Sequence, residues 1–378
     1  MDKPKLTSGG GSFKASKSSF GRKASSRRFT VVQQGAPGPP DPVSGESRGG
    51  SLRPDDVALS LSASRKQSAS GKLERAPSGP VSNLGILQLA SASMVGLDPT
   101  KAKKKNQDAF LGSACFTDSD TGLFMVCDGH GGYGELCSEF VVNALPRALH
   151  TRIRGKTGNA LDSAVKSCFL DVNAQLDVQR HIDATLSGST CCAVLLTPKE
   201  IITANVGDSR CIAAYKVALP NGSTQFQARA LTRDHKPDLP EEKARIIAKG
   251  GRVAPWEASE LDHIFRIWLR DEDTPGIAMS RSFGDQVAAS VGVIAEPEIQ
   301  HFLRTPDLAF LLVASDGVWE FMDDQEVVNF IISEMHHGRR SFHEAVDSVV
   351  AESNERWLHN EGVVDDITVF GLVFDSVL

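Results

Sequence analysis

Three short apolar runs, far apart in the chain, each end in an aspartate. Phe124-Met125-Val126-Cys127 leads into Asp128-Gly129-His130-Gly131-Gly132. Leu311-Leu312-Val313-Ala314-Ser315 leads into Asp316-Gly317-Val318-Trp319, and Val363-Val364 leads into Asp365-Asp366-Ile367-Thr368-Val369-Phe370. Apolar runs of this length read as buried strands. A carboxylate at the tip of a buried strand is costly alone, and several brought together repel. A hard divalent cation, which oxygen donors suit, resolves both problems. The pattern therefore asks for a fold that gathers these strand tips around a metal centre.

The 378 residues exceed one minimal domain and suit one large domain with an extension. Residues 1–80 carry 14 Lys/Arg against 6 Asp/Glu, so they are basic while the rest of the chain is acidic. The same stretch is rich in Ser, Gly and Pro and poor in large apolar residues. It cannot bury enough surface to offset its ordering entropy, and residues 1–82 are expected to be a disordered extension of a catalytic domain at 83–378. Within it, Arg22-Lys23-Ala24-Ser25, Arg27-Arg28-Phe29-Thr30 and Arg65-Lys66-Gln67-Ser68 place hydroxyls just after basic residues. That pattern suits basophilic kinases as partners. The acidic body gives no reason to expect a nucleic-acid substrate.

Seven cysteines, at 115, 127, 137, 168, 191, 192 and 211, show no CxxC pair and no zinc-like spacing. Several lie inside apolar runs, where a reduced Cys acts as a small hydrophobe. The expectation is a reducing compartment, cytoplasm or nucleus. No apolar run is long enough to span a bilayer, so no transmembrane segment is expected. The Lys/Ser-rich start lacks the apolar core of a secretory signal.

From about residue 85 the pattern turns globular. Strands are expected at Ala109–Cys115, Gly122–Cys127, Thr190–Leu196, Ile201–Val206, Cys211–Tyr215, Phe226–Leu231, Phe310–Ala314 and Ile367–Phe374. Helices are expected at Glu135–Arg152, Leu161–Arg180, Glu241–Lys249, Asp324–Met335 and Phe342–Trp357. Strands in runs joined by short turns, such as Pro220-Asn221-Gly222, suggest antiparallel sheets rather than βαβ winding. A sheet-on-sheet α+β core with helices outside accommodates them all.

In Asp128-Gly129-His130-Gly131-Gly132 the aspartate can ligate or bridge cations. Gly129 lets its carbonyl turn to the same ion, and the later glycines leave space for substrate. His130 is the residue type that can hand a proton to a leaving oxygen near neutral pH. Upstream, Lys103-Lys104-Lys105-Asn106-Gln107-Asp108 precedes a strand. Its lysines can hold a phosphate dianion as point charges, and Asp108 can orient a metal-bound water.

The chain resembles the PPM family, the metal-dependent type 2C protein serine/threonine phosphatases. The matching motifs run in the family's order: Lys103–Asp108, Asp128–Gly132, Ser187–Thr190, Asn205–Arg210, Ala278–Asp285, Ala314–Trp319 and Asp365–Phe370. The resemblance covers about 85–376. It implies an α-β-β-α sandwich, two central antiparallel sheets flanked by helix pairs, with metals in a cleft at one end. Carried over by position, Asp128 bridges two Mg²⁺ or Mn²⁺ ions, Asp316 and Asp365 complete the first site, and the Gly129 carbonyl serves the second. Asp366 is a neighbour rather than a ligand, His130 is the general acid, and Lys103, with Lys104 as a close rival, grips phosphate.

Three departures mark this chain. Gln107 stands where the family often has Glu, and a neutral acceptor gives the second metal less charge. Lys103 replaces a phosphate-binding Arg and cannot make the bidentate fork. For a third metal site Glu320 stands where relatives have Asp, and Asp183 falls about two residues out of register. The stretch 236–275, with Gly250-Gly251, Trp256 and Trp268, resembles the family's flap beside the cleft.

The implied activity is hydrolysis of phosphoserine and phosphothreonine in proteins by a metal-activated water, without a phosphoenzyme, by a monomer. Two other classes compete with it. One is a catalytically weak or inactive relative that regulates by binding proteins. The other is a metal phosphoesterase acting on nucleotides or small molecules.

Overall fold

The computed structural model describes residues 61–62, 84–98, 105–118, 120–256 and 264–374. Two sheets face each other. The first runs β1 (Leu61–Ser62), β3 (Asp108–Ser113), β4 (Gly122–His130), β6 (Cys191–Leu196), β7 (Glu200–Val206) and β14 (Glu298–Leu303). Two short strands, β5 (Gly188–Ser189) and β13 (Phe283–Gly284), extend it beside the end of β4. The second runs β2 (Gln88–Met94), β16 (Ile367–Val373), β15 (Leu308–Ala314), β8 (Arg210–Ala218) and β9 (Thr224–Ala230). Each of these strand pairs is antiparallel.

Period-two alternation explains the layering. Along β4, Leu123, Met125 and Cys127 face one core cluster while Phe124 and Val126 face another. The second cluster lies between the sheets, where Phe124 and Phe370 rings stand 5.5 Å apart. Helices α1 (Gly134–Arg152) and α2 (Gly158–Leu176) cover the outer face of the first sheet with Val141, Leu145, Val165 and Phe169. Helices α6 (Asp324–His336) and α7 (Phe342–Asn360) cover the second with Val328, Ile331, Val346 and Val349. The result is the expected α-β-β-α sandwich. No helix among the described residues is long and apolar enough to cross a membrane.

Helix ends follow local chemistry. Ser341 and Glu344 form a reciprocal capping box at the start of α7, and the Asp323 carboxylate accepts from the Glu326 N–H at α6. The expected second helix ends earlier, at Leu176 instead of Arg180. Besides several strands of two or three residues, two longer ones escaped the sequence reading. β2 is built of small residues (QLASASM) and is buried nearly throughout, whereas β14 lies at a sheet edge with half-exposed polar residues. β2 lacks the β-branched and aromatic content that marks a strand, and in β14 Ile299 and Phe302 stand among polar residues.

The 236–275 stretch holds α3 (Pro240–Ala248) and most of a three-stranded sheet, β10 (Arg252–Ala254), β11 (Arg266–Trp268) and β12 (Pro275–Ile277). Its own small core includes Ile246, Ile267, Ile277 and Met279. Trp268 is buried there and donates from Nε1 to the Ala254 carbonyl at 2.9 Å. Beyond the Leu61–Ser62 pairing, the extension at 1–82, with its three basic-hydroxyl motifs, lies outside the described residues. All seven cysteines are free, and all but Cys115 are buried.

Candidate active site

The site forms where strand ends of both sheets meet. On the first sheet, Asp108 lies directly opposite Asp128 across the β3–β4 ladder. On the second, Ser315 leaves β15 and caps the short helix α5 (Asp316–Trp319), which opens with Asp316. Ser315 joins the two halves: its Oγ donates to Asp108 Oδ2 at 2.8 Å and accepts from the Thr368 N–H at 3.0 Å. Asp366 is a second stitch. Its carboxylate accepts from the Gly96 N–H at 2.7 Å and the Gln107 N–H at 2.8 Å. This occupation with backbone amides agrees with its reading as a neighbour of the ligands.

Two glycines permit the close approach. A Cβ on Gly317 would overlap the Asp366 carbonyl, and one on Gly129 would overlap the Gly134 carbonyl. Asp128 is buried at 2% exposure. Its N–H donates to Thr190 Oγ1 at 3.0 Å, and its carbonyl accepts from the Thr190 N–H at 2.9 Å. Asp316 is likewise buried, and Asp365 is half-buried.

Carboxylates crowd one another at this end. Burial, then the charge of Asp366, and further down that of Asp365, push the Asp108 carboxyl up to about 7. Asp108 Oδ1 is closed to solvent and takes no hydrogen bond. An orphaned buried carboxylate oxygen among further carboxylates is a donor set that suits a hard cation. Among the described residues, however, no three His, Cys, Asp or Glu side chains stand ready-arranged to hold a metal ion. The fit is therefore one of donor chemistry and placement at one end of the fold.

The remaining expectations fall out unevenly. Lys103 and Lys104 lie outside the described residues, and Lys105 pairs with Glu135 at 2.5 Å. Gln107 was expected as a neutral acceptor, but its side-chain amide donates to the Gly131 carbonyl at 2.8 Å. A glutamate could not make that bond, so Gln107 latches the glycine loop after Asp128. Asp183 is exposed, and the Thr185 side chain first, then the Thr185 N–H at 3.0 Å, lower its carboxyl. Glu320 is half-buried at the end of α5.

His130 is buried, and its Nε2 lies 2.7 Å from Asp285 Oδ2. Asp285 had appeared only as the end of an ordered motif, with no role. Lys236 and Asp208 were missed altogether. Lys236 Nζ meets the buried Asp208 carboxylate at 2.5 Å. Burial alone would lower this ammonium, but facing Asp208, Asp234 and Asp316 outweigh it and hold it well above its ordinary value. The signal available in the sequence was Asp208 within the ordered motif Asn205–Arg210.

Comparison with known proteins agrees with this architecture. Residues 98–362 match the protein phosphatase 2C family. The chain is 34% identical over 298 residues to "Probable protein phosphatase 2C 35" of Arabidopsis thaliana, covering 73% of this chain and 81% of that protein. It is 32% identical over 278 residues to "Probable protein phosphatase 2C 64" of Oryza sativa subsp. japonica, covering 72% of this chain and 63% of that one. Among solved structures, a serine-threonine phosphatase 2C from Toxoplasma gondii superposes with a TM-score of 0.66 at 22% identity. It covers 81% of this chain and all of its own.

Proposed function

Because this chain belongs to the protein phosphatase 2C family, we propose that it hydrolyses phosphoserine and phosphothreonine in proteins in a reaction that depends on bound divalent cations. The observation that carries this reading is the carboxylate end of the sandwich. Asp108 and Asp128 face each other there, Ser315 ties Asp108 to the strand tip before Asp316, and Asp108 keeps an unpartnered buried oxygen.

Asp128, Asp316 and Asp365, with the Gly129 carbonyl, would hold two divalent cations, Mg²⁺ or Mn²⁺. Bound there, such ions lower the pKa of water and neutralise charge on phosphoryl oxygens. The chain's own residues do the rest. Asp108 accepts from a water and orients it. Thr190 and the Gln107 latch hold the Asp128–Gly132 turn still. His130 gives a proton to the departing serine or threonine oxygen. Lys103 and Lys104 attract the phosphate dianion. Asp183 and Glu320 are the candidates for a third cation. The basic-hydroxyl motifs of the extension are kinase targets, and the substrates are phosphoproteins.

The test is release of phosphate from a phosphoserine peptide with Mn²⁺, with Mn²⁺ plus EDTA, and with Asp128→Asn. Turnover that needs the metal and vanishes in the variant supports the reading. Metal-independent turnover, or none with any divalent ion, overturns it and leaves a binding role. Preference for nucleotides over phosphopeptides in the same assay would assign a small-molecule phosphoesterase.

A further inference from the structure

His130 and Asp285 lie on strands that are not neighbours. His130 ends β4, opposite Gly188 of β5, and Gly188 in turn lies opposite Gly284 of β13, one residue before Asp285. A side chain on the middle strand would separate the outer two. Gly188 has none, and a Cβ there would overlap Asp285 Oδ2. The imidazole and the carboxylate therefore meet across an intervening strand, Nε2 to Oδ2, at 2.7 Å.

The carboxylate is held for this contact from several sides. Ser282 Oγ donates to the same Oδ2 at 2.5 Å. The Asp285 N–H donates to the Ser187 carbonyl at 2.9 Å. Asp285 itself takes the left-handed conformation, φ 48° and ψ 50°. That conformation is disfavoured for an L-residue and persists where the surroundings enforce it.

The other ring nitrogen of His130 is not engaged in this pair. Here Nδ1 of His130 is closed to solvent and has no hydrogen-bond partner, although buried polar atoms are nearly always bonded. One nitrogen is fixed by Asp285 and the other is kept in reserve, which is the division of labour of an oriented acid–base histidine.

We propose that Asp285 is a positioning residue of the phosphatase reaction. Its carboxylate takes the Nε2–H of His130, fixes the ring, and leaves Nδ1 as the nitrogen that delivers the proton. The inference rests on the reading of His130 as the acid. As the bond from phosphorus to the seryl oxygen breaks, its electron pair goes to that oxygen. The oxygen takes the proton from Nδ1 of the imidazolium, and the attacking water oxygen completes the new bond to phosphorus, keeping one proton and passing the other to the Asp108 carboxylate that it donates to. His130 is left neutral with Nε2–H still on Asp285.

The experiment compares a phosphoserine peptide, whose leaving group needs a proton, with p-nitrophenyl phosphate, whose leaving group does not, using the full chain with Mn²⁺. Asp285→Asn should lower kcat on the peptide about 10- to 100-fold. KM should be unchanged, and the loss on p-nitrophenyl phosphate should be only a few-fold. Adding Asp285→Asn to His130→Ala should bring little further loss. Nitrogen-15 spectra of the metal-free protein should show Nε2–H at His130 in the wild type and its loss or mixing in Asp285→Asn.

Equal losses on both substrates, or losses that multiply in the double variant, would overturn the inference. A substrate-selective loss in His130→Ala beside an unaffected Asp285→Asn would overturn it alone. Equal losses in His130→Ala itself would overturn the acid reading and this one together. Should Asp285→Asn not fold, Ser282→Ala must shift the same substrate ratio in the same direction, and an unchanged ratio refutes the proposal.

Discussion

At the end of the sandwich Asp108 stands among other carboxylates, whereas beside the flap Glu242 and Glu298 are met by donors and cations. Burial acts on both groups, yet they respond in opposite senses. Asp108 is pushed up by burial and by Asp366. For Glu242, fully buried, burial also pushes up, but Arg245, Arg281 and Ser280 outweigh it and hold the carboxyl far below its usual range. Glu298, with the His235 ring 3.6 Å away and the Arg233 guanidinium bonded to it at 2.7 Å, is lowered to about 2. The lesson is that burial does not mark a site. What distinguishes the candidate active site is a cluster of carboxylates gathered at one end of the fold, with one Asp108 oxygen closed to solvent and unbonded, beside a region where the buried Glu242 is held between two arginines.

The comparison can be broken most directly by mutation at the carboxylate end. Asp128→Asn and Asp316→Asn should each cut metal-dependent turnover about 10³-fold or more, in the range seen when charge stabilisation of a transition state is removed. Their thermal midpoints should stay near wild type, because each change relieves repulsion among carboxylates and Lys236 keeps its ion pair with Asp208. Unfolding of both variants would show these residues to be structural after all. At the compensated end the reverse holds. Glu242→Ala leaves two partly buried arginines without their shared carboxylate and should cost about 3 kcal/mol in urea unfolding.

Divalent binding sharpens the contrast at intermediate size. Mn²⁺ at about a hundredfold excess over its Kd should stabilise the wild type by about 3 kcal/mol, and Asp316→Asn should lose most of that shift. Glu242→Ala should keep it. A shift of equal size in Asp316→Asn would place the ion elsewhere.

A smaller effect is expected with pH. Glu298 has a folded pKa depressed from 4.5 to about 2, so the unfolded chain binds its proton first on acidification. Its stabilising contribution is fully present above about pH 4.5 and is lost as pH falls toward 2. In Glu298→Gln the stability profile over that window should flatten. Smallest of all, Ser341→Ala removes the capping box of α7, remote in role from both regions. It should cost about 1 kcal/mol without touching turnover or the metal shift, which calibrates the rest.

Much of this was legible in the sequence. The tips carrying Asp128 and Asp316 abut strands with continuous apolar content, and such strands declare themselves. The layer order followed from runs of strands with helices before and after them. The His130–Asp285 contact was not legible, because it spans 155 residues and depends on a missing side chain at Gly188. The Gln107 latch was not legible either, because only the fold brings the Gly131 carbonyl to its amide Nε2. Lys236 was overlooked because its partner Asp208 comes from a different turn, 28 residues away.

One feature of the stitching reaches into biosynthesis. The strand Ile367–Val373 lies between β2 and β15, and Asp366 and Thr368 beside its start hold Gly96, Gln107 and Ser315 in place. Until the ribosome has released that stretch, the emerging polypeptide has helices and most of a sheet but no joined pocket. Newly made protein would thus be inert toward cellular phosphate groups until its closing segment docks, and any product cut short before residue 366 would stay so.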